Sequence, residues 1–156
     1  SRLEAMASGV QQTSRENVDM LALGAEEAAQ AGAQLNWEGD SSQAQIKGDP
    51  RLLRRMIRNL LENAQRYGDA SAQLLMSTQA QALILEVADR GPGVAPDERE
   101  KIFEPFYRSR QASERHGGVG LGLALVRSIA KQHGGEVQCL PREGGGARFV
   151  VRLPRV

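Results

Sequence analysis

Between Asp49-Pro50 and Gly68 the chain runs without a glycine or a second proline. Asp49 offers a capping carboxylate and Pro50 takes the first helical position, where its missing N–H does no harm. The run therefore predicts a helix that ends near Tyr67. At about 100° per residue its side chains fall on three arcs. Leu53, Ile57, Leu60, Leu61 and Ala64 share an apolar arc that has to be buried against a sheet, while Arg51, Arg54, Arg58, Glu62 and Gln65 share a solvent arc. The third arc holds Asn59, Asn63, Arg66 and Tyr67, with Leu52 and Met56 alongside. A helix that only covers a core needs two faces. The third is polar and aromatic, and either a ligand or neighbouring loops must satisfy it.

The remaining pattern places other elements around this helix. Apolar residues from 18 to 31 recur at helical spacing until Gly32. Residues 33–38 and 43–47 alternate as two short strands joined by the turn Gly39-Asp40-Ser41-Ser42, and residues 73–78 and 83–88 read as two more. Residues 96–103 form a short helix, and residues 121–133 a longer one with Leu121, Leu125, Val126, Ile129 and Ala130 on one face. Residues 136–140 and 147–153 close the chain as a hairpin. The fold class expected is α/β in the α+β sense: a two-layer sandwich of a mixed, mainly antiparallel sheet with three principal helices on one face.

Composition excludes several classes of function. At 156 residues the chain fits one domain. A net charge of +1 gives no general attraction to nucleic acid or a membrane surface, and only three aromatic residues besides phenylalanine are available for base stacking. No nucleic-acid partner is expected. No apolar run approaches the roughly 20 residues of a membrane helix, and Ser1-Arg2-Leu3-Glu4 shows no signal-peptide pattern. Cys139 is the one cysteine, in keeping with a reducing compartment, and its alternating surroundings make it a half-buried strand residue.

Three further segments carry chemistry. Asp89 ends a strand and enters Arg90-Gly91-Pro92-Gly93, which cannot continue it. A carboxylate there can accept from the exocyclic amine of adenine, with Gly91 and Gly93 letting backbone approach the ring; the same residues also read as an Asp-led turn. Gly118-Val119-Gly120-Leu121-Gly122-Leu123 opens a helix, and amides converging at a helix start make an anion site. The spacing is neither the dinucleotide fingerprint nor a P-loop. Arg108, Arg110, Arg115 and His116 lie in or beside the polar loop before it, with Arg108 the candidate for a phosphate contact. Phe103-Glu104-Pro105-Phe106-Tyr107 anchors the start of that loop through its aromatics, and His133, at a helix end, reads as a cap. On the first helix, Asn59 and Asn63 stand one turn apart and can direct amide oxygens to one Mg²⁺, which accepts a few protein oxygens plus phosphates and water.

In this order the four segments resemble the catalytic and ATP-binding domain of bacterial sensor histidine kinases, within the group that includes gyrase, Hsp90 and MutL. Asn59–Tyr67 is similar to that family's N box, Asp89–Gly93 to its G1 box, Phe103–Phe106 to its F box and Gly118–Gly122 to its G2 box. The resemblance covers roughly residues 18–154. It implies that Asn63 coordinates Mg²⁺ with Asn59 in support, that Arg66 and Arg108 contact phosphate, that Tyr67 lies on the nucleotide and that Asp89 reads adenine. Gly91 and Gly93 would border the base, and Gly118, Gly120, Leu121, Gly122 and Leu123 the phosphates, under a lid over residues 109–117.

The same resemblance implies ATP and Mg²⁺ as cofactors and a cytoplasmic domain of an inner-membrane sensor protein. Residues 1–10 would be the remnant of an upstream dimerisation hairpin that bears the phosphoacceptor histidine, and residues 11–156 the catalytic domain. That hairpin and a response regulator are the expected partners, and the isolated domain is expected to be monomeric. Gyrase- and MutL-type ATPases carry a glutamate as base one turn before the metal-binding asparagine. Asn59 occupies that position here and cannot take a proton, which disfavours hydrolysis. A nucleotide-binding regulatory module, such as an anti-sigma serine kinase, is the alternative of a different class.

Overall fold

The computed structural model describes residues 11, 14–67, 72–107 and 121–156. In chain order the elements are β1 (Glu16–Asp19), α1 (Met20–Ala31), β2 (Gln34–Glu38), β3 (Gln45–Gly48), α2 (Pro50–Tyr67), β4 (Gln73–Gln79), β5 (Ala82–Ala88), α3 (Gly122–Gln132), β6 (Glu136–Pro141) and β7 (Ala147–Pro154). Five strands form one sheet in the order β2-β4-β5-β7-β6. Only the β2–β4 pair in it is parallel.

Strand alternation puts one face of this sheet under the helices. Leu74 and Met76 of β4, Leu83, Leu85 and Val87 of β5, and Val151 and Leu153 of β7 are all fully buried there. Ile84, Glu86, Arg148 and Arg152 point to the other face, where Arg148 pairs with Glu86 at 2.8 Å. Helix α1 covers β2 and β4, α2 covers β5, and α3 covers β6 and β7, so α2 lies in the middle and packs on both neighbours. The apolar arc of α2 is wholly buried, with Leu53, Ile57, Leu60, Leu61 and Ala64 each at most 1% exposed. Burying a Leu or Ile side chain contributes roughly 1.5–3 kcal/mol, which makes this arc the centre of the core. On the solvent side, the buried Glu27 of α1 accepts from Arg58 at 2.7 Å and from Arg54 at 3.0 Å, clamping α1 to α2.

Four expectations are corrected. Val18 belongs to β1, paired with Ile46 of β3; the Asp19 carboxylate accepts from the Ala22 amide at 3.1 Å and so starts the helix at Met20. Residues 33–38 and 43–47 do not form a ribbon with each other. Asp40 accepts from the amide and hydroxyl of Ser42 at 2.9 and 2.8 Å, fixing a 3₁₀ turn (Ser41–Gln43) that carries the chain out of the sheet. Strand β2 then pairs parallel with β4, while β3 joins β1 in a separate two-stranded sheet. Residues 96–103 form two 3₁₀ turns, Pro96–Glu98 and Lys101–Phe103, where one helix was expected; neither has a side-chain cap, and so short a segment does not repay helix nucleation. Cys139 is buried, not half-buried, at 5% exposure.

Candidate functional site

The polar arc of α2 divides along its length. Leu52 and Met56, in its first half, are fully buried, whereas Asn59 and Asn63 are half-buried and Arg66 is exposed. Helix α3 runs antiparallel to α2 and reaches as far as Asn59, whose Nδ2 donates to the Gly122 carbonyl at 3.4 Å. No hydrogen bond to the Asn63 amide occurs among the described residues. Tyr67 ends the helix, and its side chain falls outside the described residues.

Leu121 holds the position before α3 and gives no side-chain bond to the first turn. A Cβ added at Gly122 would meet nothing within 4 Å, so the helix start is open on that side. Leu123 packs on the core. Gly118, Gly120, Arg108, the remaining lid residues 109–117 and the segment 1–10 all lie outside the described residues.

Asp89 follows β5, the central strand, and is buried at 3% exposure. Its Oδ1 accepts from the Gly91 amide at 2.8 Å and the Ala147 amide at 3.3 Å, and its own N–H donates to the Ala147 carbonyl at 3.0 Å. The Asp-led turn is therefore real, and it holds the carboxylate rather than competing with it. The tip of the β6–β7 hairpin completes the arrangement. Arg90 Nη1 donates to the Glu143 carbonyl at 3.4 Å, and the Gly146 backbone lies directly on the Asp89 carbonyl. Gly146 has φ +104 and a Cβ there would collide with that oxygen, so both conformation and contact demand glycine. Gly93 faces the Gly146 carbonyl, while the Gly91 amide donates to Asp89. Sequence reasoning treated Gly144-Gly145-Gly146 as a turn alone and did not connect it, or Ala147, with Asp89. Three successive glycines where two suffice for a turn were the available signal.

Two of the three aromatics near Phe103 anchor as expected. Phe103 meets Phe149 edge-on at 6.2 Å with the Arg127 guanidinium over its ring, and the Tyr107 hydroxyl donates to the buried Glu98 at 2.5 Å. Phe106 is the exception. It is 42% exposed and takes φ +67, a left-handed conformation that turns its ring away from the core.

The donors that the polar arc of α2 offers a metal are amides, since no group of three His, Cys, Asp or Glu suited to an ion occurs among the described residues. Amide oxygens one turn apart suit a hard cation that takes its remaining ligands from phosphates and water. An ion with a complete protein cage is not what these residues fit.

The family model described as "Histidine kinase-, DNA gyrase B-, and HSP90-like ATPase" matches residues 48–156. Sensor protein RstB of Escherichia coli K12 is 50% identical over 109 residues, covering 68% of this chain and 25% of that protein. Sensor histidine kinase CpxA of the same organism is 37% identical over 129 residues, covering 82% of this chain and 28% of that one. Among solved structures, the mycobacterial sensor histidine kinase MprB superposes with a TM-score of 0.78 at 26% identity, covering 90% of this chain and 98% of that chain. The ATP-binding domain of PrrB from Mycobacterium tuberculosis gives 0.73 at 29% identity, covering 91% and 98%. The chain thus spans about a quarter of the length of the curated relatives, and nearly all of the excised domains.

Proposed function

Because this chain belongs to the histidine kinase-, DNA gyrase B- and HSP90-like ATPase family, we propose that it is the nucleotide-binding half of a histidine kinase. In this reading it binds Mg-ATP and presents the γ-phosphate to a histidine on a helical hairpin outside residues 11–156. The observation that carries it is the meeting of the amide arc of α2 with the uncapped start of α3 through Asn59 and Gly122. Magnesium would supply charge neutralisation at the phosphates. Asn63 would hold it, with Asn59 in support and Arg66 beside the phosphates. Asn59 is also tied to Gly122, which keeps the arc aligned with the helix start, where free N–H groups attract phosphate.

Asp89 would receive the adenine amine. Its orientation is fixed before the base arrives, because Gly91 and Ala147 already hold its Oδ1. Pre-set acceptors lose little freedom on binding. Transfer then needs position and charge balance more than covalent chemistry from the protein. The phosphorylated histidine would pass its phosphoryl group to a response regulator. A cytoplasmic setting follows from the need for ATP. No helix among the described residues is long and apolar enough to cross a membrane.

Calorimetry on Asn63→Ala tests the reading. Mg-dependent ATP affinity should fall at least about tenfold, the equivalent of one lost ion-assisted contact, with folding unchanged. Equal affinity would remove the metal assignment. Mixing the chain with Mg-ATP and a separate histidine-bearing hairpin should label that histidine, and failure to label it would argue for nucleotide sensing alone.

A further inference from the structure

His133 has no part in the chemistry above, yet it is buried at 4% exposure. Its ring lies on Gly48, where an added Cβ would sit 2.6 Å from Nε2. That nitrogen is 3.1 Å from the backbone N of Asp49. A backbone amide only donates, so Nε2 accepts and the ring proton resides on Nδ1. Nδ1 in turn donates to the Ile129 carbonyl at 2.8 Å. Asp49 is the cap of α2, its carboxylate accepting from the Arg51 and Leu52 amides at 3.0 and 3.4 Å. Ile129 belongs to the last turn of α3. One imidazole therefore joins the beginning of α2 to the end of α3.

Another polar tie between these helices is Asn59 to Gly122, at their opposite ends. From Asp49 to Asn59 is ten residue steps and from Gly122 to His133 eleven, or about 15 and 16.5 Å at the helical rise. The two spans agree to within one residue. Between the ties the surfaces are apolar, with Leu52, Met56, Val126 and Ala130 all fully buried. Apolar contact is non-directional and leaves the axial offset of two antiparallel helices weakly defined. Directional bonds at both ends define it.

We propose that His133 is a positioning residue of the nucleotide site: it fixes the axial register of α3 on α2, and so where the Gly122 corner stands against Asn59 and Asn63. The proposal rests on the nucleotide-binding reading given above. A slip of one residue, about 1.5 Å, would carry the corner past the amide pair. A misplacement of about 1 Å can cost about 100-fold in rate where reacting groups must be aligned.

The test is binding of trinitrophenyl-ADP with magnesium to the 156-residue chain. His133→Phe keeps a ring without either bond, and Gly48→Ala pushes the imidazole off Asp49. Both should weaken binding at least about tenfold at a temperature where circular dichroism shows the fold intact. His133→Gln keeps an acceptor near the place of Nε2 and should stay within about threefold of the parent. Val137→Ala opens a cavity in β6 and removes neither helix tie; it controls for stability loss alone and should bind like the parent. Near-parental binding by His133→Phe would overturn the proposal, as would equal losses in Val137→Ala or in His133→Gln. If His133→Phe does not fold, Gly48→Ala decides by the same criterion. A parent chain that does not bind the probe would instead sink the nucleotide reading, and this proposal with it.

Discussion

Glu27 and Cys139 show how far burial and partners move a side chain from its ordinary behaviour. Hydrogen bonds from Arg58 hold the Glu27 carboxyl below the usual carboxylate range against the opposing cost of burial, with help from Arg54. The group is therefore more acidic folded than unfolded. Its contribution is present above the unfolded value of about 4.3 and is lost as pH falls through the lower folded value. Urea unfolding should show Glu27→Gln clearly less stable than the parent near neutral pH. The gap should narrow as pH falls below that unfolded value, and a gap independent of pH would contradict the ion-pair clamp. Burial also pushes the Cys139 thiol up to about 12. Native protein should resist alkylation at pH 8 while urea-unfolded protein reacts within the same interval, since the thiolate is the reactive form. At this scale the sequence made Asn59, Asn63 and Asp89 candidates, because amides on a third helix arc and a carboxylate before glycines are unusual locally. It left His133 as an ordinary cap, because the bond to Asp49 spans 84 positions and no local pattern encodes it.

Among the elements, α2 carries the greatest share of the core. Leu60→Ala, at a fully buried position, should cost about 2–5 kcal/mol in denaturant unfolding; a loss under about 1 kcal/mol would mean that the arc is packed elsewhere. The β6–β7 hairpin makes a different prediction. Gly146→Ala should weaken adenine-nucleotide binding by displacing the Asp89 backbone, whereas Gly145→Ala, with nothing near its Cβ, should do so less. Equal effects from both would reduce the tract to a turn. Helices α2 and α3 and strands β4 to β7 were legible because periodicity there is bounded by glycine and proline turns. The β1–β3 ribbon and the parallel β2–β4 pair were not. Their strands are four or five residues long, and alternation gives a strand's faces but not its neighbour.

For the molecule as a whole, ligand binding should appear as stability. A nucleotide that binds only the folded form at 100 times its dissociation constant adds about 2.7 kcal/mol. Mg-ATP should therefore raise the melting temperature of the parent chain, and Asn63→Ala, if tenfold weaker, should gain about half of that stabilisation or less; equal rises would separate binding from the amide arc. The two-layer arrangement was legible from the interleaving of helices and strands. The order of strands was not, since it depends on which buried faces meet after α2 has crossed the sheet.

Strand β7 lies between β5 and β6, although it follows both in the chain. Its pairing with β5 joins Ala82–Ala88 to Ala147–Pro154, and its first residue is the one that holds Asp89. A nascent chain on the ribosome therefore carries β5 with one side unmatched until residues 147–154 have emerged. Closure of the sheet and readiness for nucleotide should arrive together, as a single event, once they have.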